Sequence, residues 1–469
     1  MAESARKQAK GRRRLVSKAG DSAPESGPKR SQRDRLLDAM IALATEAGYQ
    51  QVSVAQVSAR AGVSRATFYE QFEDKEDCLL AAYSTAAQRL LALAVAAMPV
   101  TADGDWADAA GNTLRQLAHA LRRDPDAGRL LFVERLAGGS RARATRRIVI
   151  DAFEQRIQEF IDSTPEGAET LDVPATALVG AVRSIVGRYL RTHGEDELPA
   201  LAEDGVRWVR SYAVPVGREH WSTGPEALLP EPPEPESPTS SGHRRRRLPR
   251  GRHGLPAGVI ARSQRTRIIY GTAEMMMSKG YENVTVADIV AAAGVSREVF
   301  YEHFSDKQHA FLEAQQHPTQ HILDICATAY FSVSDWPERV WNTFGALIGM
   351  IAANPAISHL RLVECYAAGP EAIRRAEEIT RSFTIFLEEG YSYRPEARDL
   401  PRICSHAIAG AVFEVIQRHV GRGDYAGLTQ RLPQLTYIAI APFTGAEEAV
   451  RLVSELKAES HAILNDSVV

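Results

Sequence analysis

The stretch Ala61–Lys75, AGVSRATFYEQFEDK, returns at Ala293–Lys307 as AGVSREVFYEHFSDK, with a constant register of 232 residues between the copies. The match runs without a gap from Ser31 and Ser263 to Asp77 and His309, and about 20 of its 47 paired positions are identical. A block this long, repeated this closely, makes the chain a tandem array of one unit. The repeat continues beyond it at an offset of 230. Asp124-Pro125 and Glu134 match Asn354-Pro355 and Glu364, Gly139 matches Gly369, and Gly180-Ala181-Val182 matches Gly410-Ala411-Val412.

Within each copy the residues specify short helices. Leu36, Leu37, Met40, Ile41 and Leu43 fall near helical spacing and predict a helix over 32–47. Ser53 opens S-x-x-Q with Gln56, a capping box for a helix over 54–61, and Thr285 opens T-x-x-D with Asp288 at the equivalent place. Gly62 and Gly294 follow these helices, and Ser64 and Ser296 are placed to N-cap the next ones. A short helix, a turn of three or four residues containing glycine, then a second helix is the helix-turn-helix arrangement. Asp74 is the predicted cap of a fourth helix from Lys75 to Ala97, and Ser305 opens S-x-x-Q with Gln308 before its counterpart.

These residues carry a family resemblance. The run Ser53, Val54, Val57, Ala61, Gly62, Val63, Ser64, Phe68, Tyr69, Phe72, Asp74 and Lys75 resembles the DNA-binding head of TetR-type transcriptional regulators. So does the run Thr285, Val286, Ile289, Ala293 to Ser296, Phe300, Tyr301, Phe304, Asp306 and Lys307. The resemblance implies an all-α chain of two TetR-like modules, each a three-helix head on a helical regulatory body. The expected division is a basic tail over 1–30, a first head over 31–77 and a first body over 78–215. A Pro- and Arg-rich linker over 216–262, a second head over 263–309 and a second body over 310–469 follow.

It also implies a sequence-specific regulator, a repressor by expectation, whose third helices enter the major groove of double-stranded DNA. The residues facing bases are then Ser64, Arg65, Ala66 and Thr67 in the first head and Ser296, Arg297, Glu298 and Val299 in the second. The arginines reach guanine or phosphate, Thr67 and Val299 offer a methyl to thymine, and Glu298 accepts from cytosine or pairs with a neighbouring arginine. Phe68 and Phe300 are assigned to the core. Tyr69 and Tyr301 are assigned to phosphates, as are Lys75 and Lys307 at the start of the fourth helix, where the helix dipole favours an anion. Ser53 and Thr285 are read as caps, with a phosphate contact as the other reading. Because the two reading helices differ, the expected operator is an imperfect palindrome or asymmetric. In the other reading one module binds DNA and its twin is only a dimerisation or partner platform. A sequence-indifferent coating protein is a third reading.

The last two helices of each body, over 175–212 and 403–456, are the expected four-helix dimer interface. Gly180-Ala181 and Gly410-Ala411 are small enough for close approach. The pair forms either inside one chain, as a pseudo-dimer, or between chains. A small-molecule effector is the usual signal of the family. Trp106, Phe132, Trp341, Phe344, Tyr366, His406 and Phe413 are the candidate lining residues, with core packing as their other reading. His359, His406 and His419 lack metal-ligand spacing, and no metal or other cofactor is expected.

Charge and cysteine content exclude other classes. The net charge of −3 conceals eleven Lys or Arg against four acids over 1–35, and nine Arg with no acid over 243–267. Basic segments leading into the heads suit phosphate contact; a solvated tail is their other reading. Cys78, Cys326, Cys365 and Cys404 are scattered without C-x-x-C spacing, which fits buried thiols in the cytoplasm. The N-terminus lacks the apolar core of a secretory signal, and the richest apolar run, 90–98, is too short to span a bilayer. No H-E-x-x-H, G-x-S-x-G, P-loop or dinucleotide glycine pattern stands in a fitting context, so an enzyme is not expected.

Overall fold

The computed structural model describes residues 31–97, 106–133, 140–163, 173–212 and 256–466. The tail and most of the linker fall outside the described residues, as does the side chain of Trp106. Among the described residues every regular element is helical.

The first head is α1 (Gln32–Ala47), α2 (Val54–Ala61) and α3 (Arg65–Gln71), with the bounds that the caps predict. Ser53 accepts from the Gln56 N–H while its own N–H donates to Gln56 Oε1 at 2.8 Å. Gly62 then ends α2 in the left-handed region at φ 63°, which residues with a Cβ rarely adopt. Leu36, Met40, Val57, Phe68 and Phe72 close the small core, so Phe68 has the packing role assigned to it. The long α4 (Lys75–Ala97) starts in this core through Cys78 and Leu79 and carries the head into the body. The first body continues with α5 (Trp106–Arg123), α6 (Pro125–Phe132), α7 (Ser140–Ser163), α8 (Ala175–Thr192) and α9 (Leu198–Arg210).

The second module repeats the plan with differences in several of its helices. Its first helix, α10 (Ala257–Lys279), starts inside the stretch assigned to the linker. The Gly- and Pro-rich composition there hid a helix that Pro256, at its N-cap, initiates. After α11 (Val286–Ala293) and α12 (Arg297–His303), the fourth helix divides at Pro318 into α13 (Lys307–Gln316) and α14 (Thr319–Tyr330). Asp306, and not Ser305, caps α13: its carboxylate accepts from the His309 N–H at 2.8 Å. Then come α15 (Trp336–Ala353), α16 (Pro355–Leu362) and α17 (Pro370–Ser382), two 3-10 segments over Phe383–Ser392 and Pro395–Asp399, and α18 (Ile403–Arg422). The chain closes with α19 (Tyr425–Thr429), the wholly buried α20 (Leu432–Thr444), and α21 (Ala446–Asp466) packed on α20 and α15.

The two bodies pair inside one chain. Helices α8 and α18 cross where Gly180 and Gly410 meet. A Cβ on Gly180 would lie 2.3 Å from Glu414 Cβ, and one on Gly410 would lie 2.4 Å from Ser184 Cβ. One apolar core runs through the crossing, from Leu178, Ala181 and Ile185 to Ala407, Ile408 and Val415. The contact extends beyond this crossing: α9 packs on α18, and the hydroxyl of Tyr212, beyond the end of α9, donates to the Ile438 carbonyl of α20 at 2.7 Å. The final helix α21 is not the interface partner that the resemblance implied.

Polar contacts ring this core. Arg183 pairs with Glu414 at 2.8 Å, Arg191 with Glu377 at 2.9 Å, and Arg418 with Asp151 at 2.9 Å and with Glu154. Gly410→Val forces the crossing apart, and overpacking of this kind costs about 1–3 kcal/mol. The expected outcome is a lower thermal midpoint of the full chain; an unchanged midpoint would show that the close approach is dispensable.

Candidate nucleic-acid interface and effector cavity

Each head holds its third helix with the same clamp. Lys75 Nζ donates to the carbonyls of Val52 at 2.8 Å and Tyr49 at 3.3 Å, and sits 4.4 Å from the centre of the Tyr49 ring. Lys307 does the same toward Tyr281 O at 2.7 Å, also 4.4 Å from that ring. Partial burial lowers both ammonium pKa values. Both ammonium groups thus have partners inside their own head, which the phosphate expectation did not include. They tie the turn before α2 or α11 to the fourth helix, and their charge is directed at backbone carbonyls of their own head.

Several arginines from the basic segments are likewise internal. Arg33 donates to the Gln71 carbonyl at 3.0 Å and stacks over Phe72, and Arg267 donates to Gly294 O at 2.5 Å and to Ala293 O. The sequence reading missed these C-caps of the helix-turn-helix. The signal was present in Arg33 and Arg35, which recur as Arg265 and Arg267 at the repeat register.

The reading residues face outward. Ser64, Arg65 and Ala66, and Ser296, Arg297 and Glu298, are exposed, with Thr67 and Val299 partly so. Ser64 and Ser296 accept the N–H of Thr67 and Val299 at 3.0 and 3.2 Å, which fixes the first turn of each helix. Tyr69 is 59% exposed and Tyr301 57%, each held edge-on by the buried Phe68 or Phe300 beneath it. Glu298 stands exposed in the first turn of its helix. Ser53 and Thr285 donate their hydroxyls to Gln56 Oε1 and Asp288 Oδ2, both at 2.6 Å. Both side chains therefore cap their helices, which either reading of them requires.

The candidate effector residues divide. Trp341 and Phe344 are buried in the core: the Trp341 indole donates to Ser460 at 3.2 Å, and neither residue lines either of the two cavities described below. Phe132 lines a cavity of about 150 Å³ in the first body. Tyr366, His406 and Phe413 line one of about 590 Å³ in the second body, walled on one side by α8 of the first. No group of His, Cys, Asp or Glu among the described residues forms a metal site. Burial, aided by Arg188 and Arg381, pushes the His406 imidazole down to about 4. Its ring nitrogen therefore accepts from Arg188 Nη1 at 2.6 Å. All four cysteines stand outside any disulfide and are buried, and no single helix among the described residues is long and apolar enough to cross a membrane.

An all-helical chain with two exposed helix-turn-helix surfaces on one fused body has the architecture of a DNA-binding regulator. Comparison with known proteins bears this out. The family of bacterial regulatory proteins called tetR matches residues 36–82 and again 268–314. The chain is 21% identical over 184 residues to the HTH-type transcriptional activator FasR of Mycolicibacterium smegmatis, spanning 39% of this chain and 68% of that one. Among solved structures it is similar to the fatty acid degradation regulator FadR of Bacillus halodurans (18% identity, TM-score 0.34, 39% of this chain and 96% of that one). It is similar also to FadR of Bacillus subtilis in complex with stearoyl-CoA (17%, TM-score 0.32, 38% and 96%). The chain carries two DNA-binding domains of the tetR family, one in each half, and is a tandem TetR-type regulator.

Two outcomes follow. Lys75→Met removes two hydrogen bonds from a charged donor and should lower the unfolding free energy by about 1 kcal/mol, read by chemical denaturation. If stability is unchanged while DNA affinity falls, the clamp assignment fails. His406 has a folded-state pKa below its ordinary 6.5, so its contribution to stability is complete above that pH and is lost as pH falls toward 4. The loss of thermal midpoint between pH 7 and pH 4.5 should be smaller in His406→Gln; an equal loss would assign the acid sensitivity elsewhere.

Proposed function

We propose that both heads of one chain read neighbouring turns of a single operator whose half-sites are unlike. The observation that carries this is the pair of exposed, unequal reading surfaces fixed to one core: Arg65-Ala66-Thr67 in the first head and Arg297-Glu298-Val299 in the second. A homodimer with identical recognition helices reads a palindrome. A pseudo-dimer with unlike helices has no such constraint, and Glu298 favours a cytosine amine where Ala66 offers no polar group. Tyr69 and Tyr301 supply phosphate contacts that set the register of each helix. The large cavity between the bodies supports control by a small molecule, which acts by binding one arrangement of the heads better than another. The fold leaves the direction of control open: repression is what the resemblance implies, while the relative FasR is an activator.

In a mobility-shift assay with a selected operator, exchanging one half-site for a copy of the other should weaken binding by about 1–3 kcal/mol per mismatched base pair. Equal affinity for both palindromes would overturn the reading. Glu298 also favours a second reading, because its carboxylate opposes nearby phosphates and weakens the second head. Tyr69→Phe and Tyr301→Phe separate the two. Loss of affinity in both variants supports two reading heads, and loss in the first alone makes the second module a platform.

A further inference from the structure

The pseudo-twofold axis of this chain offers an internal control on its own cavity. At the body offset of 230 residues, Arg188 on α8 corresponds to Arg418 on α18, and each projects across the interface into the opposite module. Their surroundings differ. Arg418 meets two carboxylates of the first module, Asp151 at 2.9 Å and Glu154, and Thr176 donates to Glu154 at 3.2 Å. The residues at those three places in the second module are Arg381, Thr384 and His406. Arg188 therefore meets the neutral His406 imidazole and lies near the Arg381 guanidinium, with no ion pair to a carboxylate among the described residues. The junction filled with protein carboxylates in one half opens onto the cavity of about 590 Å³ in the other.

A second cation makes the site more electropositive. Arg361 on α16 lines the same cavity, is buried with 8% of its surface exposed, and donates to Thr319 Oγ1 at 3.2 Å through Nη2. Its Nη1 is buried without a partner. The corresponding residue of the first module is Leu131, which lines the small apolar cavity there. The cavity's two carboxylates are already engaged, Glu414 by Arg183 and Glu377 by Arg191. Among the described residues the buried Arg361, the partly buried Arg188 and the exposed Arg381 have no ion-pair partner around this one space. A buried guanidinium donor without an acceptor is costly, and a carboxylate or phosphate relieves that cost with two parallel hydrogen bonds. The remaining wall is apolar, with Leu347, Met350, Ile351, Phe383 and Phe413, and the volume is that of an ordinary small-molecule site.

From this, we infer that the second-body cavity binds one amphipathic organic anion per chain, its acidic head held among Arg188, Arg361 and Arg381 where the other half of the molecule uses Asp151 and Glu154, and its apolar part against Phe383 and Phe413. The inference rests on reading this cavity as the effector site. Because Arg188 comes from the first module and Arg361 from the second, the bound head spans the joint that sets how the two heads lie. The first body, with Leu131 and internal carboxylates in place of these cations, takes no such ligand.

Isothermal titration of the full chain without DNA tests this apart from any operator. The probes are decanoate, decyl phosphate and the neutral decanol. Either acid should bind with one molecule per chain, and the alcohol at least about tenfold more weakly. Arg361→Leu and Arg381→Asp each install the residue that the first module carries at that position, so both should fold. Each should weaken the acid about tenfold or more while leaving the thermal midpoint without ligand within a few degrees. Equal binding of decanol, no binding by either acid, two sites per chain, or wild-type affinity in both variants would overturn the inference. Mobility shifts of the ligand-free chain judge the two-headed DNA reading independently.

Discussion

Everything else in the molecule depends on the close crossing of α8 and α18. Two glycines at equivalent places let the helix backbones approach until each lies against side chains of the other. Apolar residues on both sides then form one core, and burial of that surface is the main force holding the modules together. The ion pairs around the rim are weaker stabilisers than the core, since each charge loses solvation on entering the interface. Their chief effect is to fix register. Arg183 with Glu414, and Arg418 with Asp151, allow only one way for the helices to lie side by side.

Once the bodies are fused, the two heads become parts of one object. In a homodimer, symmetry forces equal reading surfaces and equal cavities. Here a single chain carries both copies, so each has been free to change alone. The differences fall where that freedom is useful. On the reading helices Ala66 and Thr67 face Glu298 and Val299, while the packing residues Phe68 and Phe300 are the same. In the bodies Leu131 faces Arg361 and Asp151 faces Arg381, while the glycines of the crossing are the same.

The lysine at the start of the fourth helix shows what a motif leaves unstated about one residue. Sequence places Lys75 at a helix N-terminus, where its positive charge is unfavourable unless an anion is near. The tertiary fold supplies another partner. The turn before α2 brings the carbonyls of Tyr49 and Val52 to the ammonium, with the Tyr49 ring beside it. Those partners are 26 and 23 residues away along the chain, beyond the reach of capping rules.

The heads were nearly complete in the sequence. Cap residues, the left-handed glycine and the apolar spacing act over three or four residues, so α1 to α4 begin and end where local chemistry says they must. The outward-facing Arg65 and Arg297 follow from that alone, because a short helix with one buried aromatic has only one face left for solvent. The tandem repeat likewise fixed the all-helical plan. Four things required the third dimension: the pairing of the modules within one chain, the internal use of Lys75 and Lys307, the packing of Trp341 and Phe344 as core, and the gathering of Arg188 and Arg361 around one cavity. These rest on contacts between residues far apart in the chain, and hydrophobic periodicity states which face is buried but not what it is buried against.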